Sequence, residues 1–124
     1  AKKIGHIWKY IPDEKEGQGK NNEIGGELVL FCEPEDKTIM QSCDNICMSP
    51  WGDLIICEDC NGKQNRVLGV TPEGVCYEIA SNSNSEFAGC CFSEDGRTLF
   101  VNIQEPGATY AITGWWGEIK SKKE

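Results

Sequence analysis

Ser49-Pro50-Trp51-Gly52-Asp53 and Ser93-Glu94-Asp95-Gly96-Arg97 read as two copies of one turn, with Ser and Gly returning 44 residues on. Each copy separates two apolar runs: Ile46-Cys47-Met48 from Leu54-Ile55-Ile56-Cys57, and Gly89-Cys90-Cys91-Phe92 from Thr98-Leu99-Phe100-Val101. Short apolar, β-branched and aromatic runs broken by a Gly-bearing turn are the mark of a β-hairpin. Val70-Thr71 also has a counterpart in Ile112-Thr113. A period of roughly 40 residues with four short strands per unit is the sequence signature of a β-propeller blade. Nothing in the chain carries a helical period.

The expected fold is therefore all-β, a partial β-propeller of a little over two four-stranded antiparallel blades. Residues 1–43 supply the outer strands of one blade, with a polar, Gly- and Asn-rich loop from Glu14 to Gly26. Residues 44–85 form a complete blade, 86–119 the inner strands of the next, and 120–124 a charged tail. A ring needs about 4–8 blades, so the expected partners are the remaining blades or other protein subunits that cover the open strand edges. Three copies closing a six-bladed ring is the less favoured arrangement, because the chain starts and stops in mid-blade. Without an initiator Met or a visible signal peptide, the sequence reads as a processed product or a piece of something longer.

Twenty acidic against twelve basic residues give a net charge of -8. Such a balance excludes a nucleic-acid partner, which needs a basic face, and disfavours an anionic membrane surface. No apolar run approaches the roughly 20 residues that span a bilayer. Eight cysteines are many for 124 residues. Their spacing does not favour zinc: Cys57-Glu58-Asp59-Cys60 starts inside an apolar strand, and Cys43 and Cys47 are spaced loosely. No βαβ pattern surrounds the pair, which disfavours a thioredoxin-like motif. Cys90 and Cys91 are strand neighbours, so they point to opposite faces and one is an ordinary buried thiol.

The first strand of a blade starts at one rim and the second returns to it. Residues before the first and after the second therefore share a face. Here these are Asp44 and Asn45, then Glu58 and Asp59; in the next unit they are Glu86, then Asn102, Gln104 and Glu105. All are oxygen donors of the kind calcium gathers in sixes to eights, and ferric iron also accepts carboxylates. The same residue types favour turns and strand ends for purely local reasons. Other chemistries fit less well. The one histidine, His6, lies on the first strand with no nucleophile elbow to serve. The glycines are explained by turns, without a phosphate-cradling loop. Trp51, Trp115 and Trp116 read as packing before they read as a ligand platform.

In sequence order, Asp44-Asn45-Ile46, Ser49-Pro50-Trp51-Gly52-Asp53-Leu54, Cys57-Glu58-Asp59 and Val70-Thr71-Pro72-Glu73-Gly74 are followed by Ser85-Glu86-Phe87-Ala88-Gly89. Gly96-Arg97-Thr98-Leu99-Phe100-Val101-Asn102-Ile103-Gln104, Pro106-Gly107 and Ala111-Ile112-Thr113-Gly114 complete a set that resembles the C-terminal part of the PhoX family of alkaline phosphatases. The resemblance implies a six-bladed propeller that hydrolyses phosphate esters with calcium and iron on the channel axis, secreted or periplasmic. It points to Glu58 and Glu86 as metal ligands, then Asp44, Asn45 and Asp59, with Asn102 and Gln104 supporting them or contacting phosphate. Cys43, Cys60 and Glu105 stand where the family usually has Pro, Gly and His. Two functions follow as expectations. One is a fragment or subunit of a calcium- and iron-dependent phosphomonoesterase, inactive as this chain alone. The other is a non-catalytic, PhoX-derived structural or accessory subunit, in an organelle complex and without metal.

Overall fold

A computed structural model describes residues 4–60, 64–114 and 116. Trp115 and the charged tail lie outside the described residues. The described chain folds into nine strands in three antiparallel sheets, with no helical element between them. Strands β1 (Ile7–Ile11) and β2 (Glu27–Cys32) form the first sheet. The second contains β3 (Cys43–Met48), β4 (Leu54–Glu58), β5 (Asn65–Val70) and β6 (Cys76–Asn82), in chain order. The third contains β7 (Phe87–Phe92), β8 (Thr98–Ile103) and β9 (Ala108–Thr113), again in order. The all-β expectation holds. The apolar run from Ile4 to Ile11, stopped by Pro12-Asp13, reads from sequence as one strand, but Gly5 at φ 95° breaks it, and the buried Ile4 instead accepts a hydrogen bond from Ser42 N–H.

The repeated turn has a shared physical basis. Gly52 and Gly96 both take positive φ, which costs glycine nothing. Each donates its N–H to the carbonyl of the serine three residues earlier, Ser49 or Ser93. Each serine hydroxyl then accepts from the incoming strand, Asp53 N–H at 2.8 Å and Thr98 N–H at 3.0 Å. Thr71 performs the same service in the Thr71–Gly74 turn, accepting from Val75 N–H at 3.3 Å. A hydroxyl at the first position and a glycine at the last thus fix hairpin length, and with it strand register.

Strand alternation gives the middle sheet two apolar faces. One face packs against the third sheet through Ile55, Cys57 and Val67 against Phe87, Leu99 and Val101. The other packs Ile56, Leu68 and Val70 toward Cys32, Phe31 and Ile7 of the first sheet. The middle strands β4 and β5 are buried on both faces, which explains their nearly unbroken apolar runs. Each fully buried Ile or Leu contributes about 1.5–3 kcal/mol relative to an exposed one. Trp51 is part of this packing: it stacks on Trp116 with ring centroids 5.3 Å apart and meets Phe92 edge-on.

Candidate functional site at the acidic end of the sheets

The acid- and amide-bearing ends of β3 and β7 share an irregularity. In β3 the pairing steps from Cys43 opposite Glu58 to Asn45 opposite Cys57, leaving Asp44 as the extra residue. In β7 it slips between Phe87, opposite Ile103, and Cys90, opposite Val101, with Gly89 at φ 106°. Both are β-bulges, which bend a strand and re-aim side chains. Their equivalent placement brings donors from two sheets together.

Asp59 and Glu86 meet carboxyl to carboxyl. The Glu86 carboxyl is held above its usual range by the hydrogen bond with Asp59, with further contributions from burial and from the charges of Asp59 and Asp44. Asp44 accepts a 2.6 Å hydrogen bond from the Asn45 amide. The Asn45 and Asn102 side chains flank Gly89, each 4.0 Å from where a Cβ on that glycine would stand. Asn102 is oriented by Thr109, whose hydroxyl donates to its oxygen at 2.8 Å. Gln104 N–H donates to the Glu86 carbonyl at 3.1 Å, which ties the two strand ends together.

Of the residues expected at one site, Asp44, Asn45, Asp59, Glu86 and Asn102 thus gather around the two bulges, and Gln104 joins them through its backbone. Glu58 does not. Its side chain is fully buried and forms a two-pronged ion pair with Arg66: Nε to Oε2 at 2.8 Å and Nη2 to Oε1 at 2.7 Å. Gln41 N–H adds a third bond at 2.8 Å. Arg66 was not singled out from sequence, although an arginine on a strand beside a buried glutamate is the one partner with matching planar geometry. His6 stands apart against Trp8, with ring centroids 5.7 Å apart. A groove of about 500 Å³ between the first two sheets is lined by apolar residues such as Trp8, Phe31 and Met48 and does not contain the acids.

The donors around the bulges are oxygens only, so their chemistry fits a hard cation, whose charge would relieve the Asp59–Glu86 contact. Glu58 does not fit that role while Arg66 holds both its oxygens. Among the described residues, no three His, Cys, Asp or Glu side chains are drawn tightly enough together to hold a metal ion.

The like-charge contact gives a direct prediction. A carboxyl raised in the folded state favours folding at low pH, and that contribution fades as pH rises through its folded value. Glu86→Gln is therefore expected to melt higher than the native chain at pH 7 without added cations. The gap should close as pH falls toward 4. An unchanged gap across a pH series of melting curves would show that the Glu86 carboxyl is not raised by its neighbours.

No curated protein and no solved structure matches the chain. A family model does match, covering residues 1–107 and thus both bulges and every residue gathered there. The chain belongs to the alkaline phosphatase PhoX family.

Proposed function

We propose that the three sheets are successive blades of a partial propeller, and that the acidic end of the second and third is one sector of a metal-dependent phosphomonoesterase site. The observation that carries this reading is the convergence of Asp44, Asn45, Asp59, Glu86 and Asn102 at two equivalent bulges on adjacent sheets. Asp59 and Glu86, with Asp44 and Asn45, would supply part of the oxygen ligands for calcium or iron, drawn in and completed by donors from outside this chain. Such ions supply positive charge to polarise a phosphoryl oxygen. The chain's own part is to hold those carboxylates in place and to present amide donors. Asn102, fixed by Thr109, and Gln104 would orient phosphate oxygens. The remaining donors come from further blades or other subunits, so this chain alone is inactive in this reading. Placement outside the cytoplasm, in a secreted or periplasmic enzyme, accompanies it. Among the described residues no helix is long and apolar enough to cross a membrane.

One observation favours the second reading, a non-catalytic structural or accessory subunit of a larger assembly. The Glu58 carboxylate, expected to serve a metal, is consumed by Arg66 and Gln41. Two measurements separate the readings. If the site binds calcium, free ion at about ten times Kd stabilises the chain by about 1.4 kcal/mol, a rise of about 5 °C in melting temperature. An Asp59→Asn/Glu86→Gln variant should lose that rise. In the native assembly, stoichiometric calcium and iron with turnover of an aryl phosphate would exclude the accessory reading. Metal-free native material without turnover would exclude the enzyme.

A further inference from the structure

Where β3 of the second sheet runs beside β7 of the third, the thiols of Cys47 and Cys90 face each other with their sulfurs 3.4 Å apart. Both border the core between the two sheets, and both remain partly exposed. Cys57 approaches the same place from β4. Its thiol is fully buried and hydrogen-bonded to Cys90. Three of the eight cysteines therefore meet at one seam. Cys91 points to the opposite, exposed face of β7 and cannot join them.

The three differ in how freely they can move. A disulfide requires sulfurs about 2.05 Å apart, so Cys47 and Cys90 must approach by little more than an ångström. They sit on strands of different sheets, joined there by side-chain packing and not by a backbone ladder. A small slide of one sheet on the other brings them together. Cys57 is less free, because β4 is hydrogen-bonded to β3 on one side and β5 on the other.

We propose that Cys47 and Cys90 are a modification site, a reversible disulfide that staples the second sheet to the third. With a low-molecular-weight disulfide RSSR as oxidant, the Cys47 thiolate displaces one RS⁻ to form a mixed disulfide. Cys90, after giving its proton to solvent, attacks the Cys47 sulfur and releases the second RS⁻. The net change is two protein thiols and one RSSR to one protein disulfide and two RSH, with two electrons passed to the reagent. Both thiols border a packed core, so the exchange is slow and is best followed to equilibrium. The link closes a segment with 43 residues of sequence separation. It also lies next to Gly89 and two residues from Asn45, so it fixes the spacing of the two bulges. This inference does not rest on the phosphatase reading and applies equally to a structural subunit.

The test uses the full chain equilibrated with oxidised glutathione, quenched in acid, denatured and alkylated. Peptide mapping by tandem mass spectrometry should find two fewer alkylated cysteines than in the reduced control, and a Cys47–Cys90 cross-link. Cys91→Ser should retain that link, and Cys47→Ser should lose it. Oxidation should raise the melting temperature by about 10 °C, reversed by reductant. Eight alkylated cysteines after oxidation, or Cys57 bonded to Cys90 in place of Cys47, would overturn the assignment. So would a Cys47–Cys90 link that lowers the melting temperature.

Discussion

Arg66→Ala is expected to destabilise the chain by about 3–5 kcal/mol, because it leaves the fully buried Glu58 without its counter-charge. In a chain of this size that is a fall of roughly 10–15 °C in melting temperature. The guanidinium does more than neutralise. Its Nη1 and Nη2 donate to the carbonyls of Thr38 and Lys37 at 2.7 and 3.1 Å, which pins the segment between β2 and β3 to the start of β5. Glu58 in turn accepts from Gln41 in that same segment. The pair is thus a clasp between a loop and a sheet, and losing either member opens it. A Glu58→Leu/Arg66→Met double variant tests whether charge or packing dominates. It should recover most of the loss, since well-packed apolar residues replace buried ion pairs at little cost. Equal destabilisation in single and double variants would show that the backbone contacts of Arg66 matter more than the ion pair.

This clasp also marks where sequence reading stops. The hairpins were legible because their turns rest on local chemistry: a hydroxyl that accepts from the next strand and a glycine with positive φ. Those signals act within five residues, so one sequence suffices to see them. Strand extents were legible to within a few residues for the same reason. The missed break at Gly5 depends on a distant partner, Ser42, whose hydrogen bond draws Ile4 out of the strand.

The site was legible only in part. From sequence Glu58 and Asp59 shared one rim, and both read as ligands. Which one turns toward the neighbouring sheet depends on the bulge at Asp44, and bulges leave little trace in a residue pattern. Gly89 was the available clue. A glycine within an apolar strand signals a bulge or a close backbone approach, and here it sits between two amides. The cysteine seam was beyond reach as well, since Cys47 and Cys90 meet only when separate sheets pack. Their shared placement in equivalent strands of the repeat becomes informative once that packing is known.

Gly69→Ala should cost about 2–4 kcal/mol, although Gly69 has no unusual backbone angle to explain its presence. It pairs directly with Tyr77 across β5 and β6, and the tyrosine ring lies over it. An added Cβ would stand 2.1 Å from the ring's Cζ, far inside contact distance. The ring must move, and its position matters because the Tyr77 hydroxyl donates to the buried Asp53 at 2.8 Å. Trp51 Nε1 donates to the same oxygen at 2.9 Å, so the carboxylate joins the repeated turn to the far edge of the sheet. Burial lifts the Tyr77 hydroxyl to about 12, which keeps it a donor well into the alkaline range. Overpacking costs about 1–3 kcal/mol, and weakening a hydrogen bond to a buried charge about 1.5–3; partial relaxation keeps the sum below their total. Tyr77→Phe should lose only the hydrogen bond. In a Tyr77→Ala background the ring is gone, and Gly69→Ala should become stabilising by about 0.5 kcal/mol, since alanine loses less backbone entropy than glycine in a strand. Urea denaturation of the native chain and the four variants measures all three quantities. An undiminished penalty for Gly69→Ala without the tyrosine ring would locate the clash elsewhere.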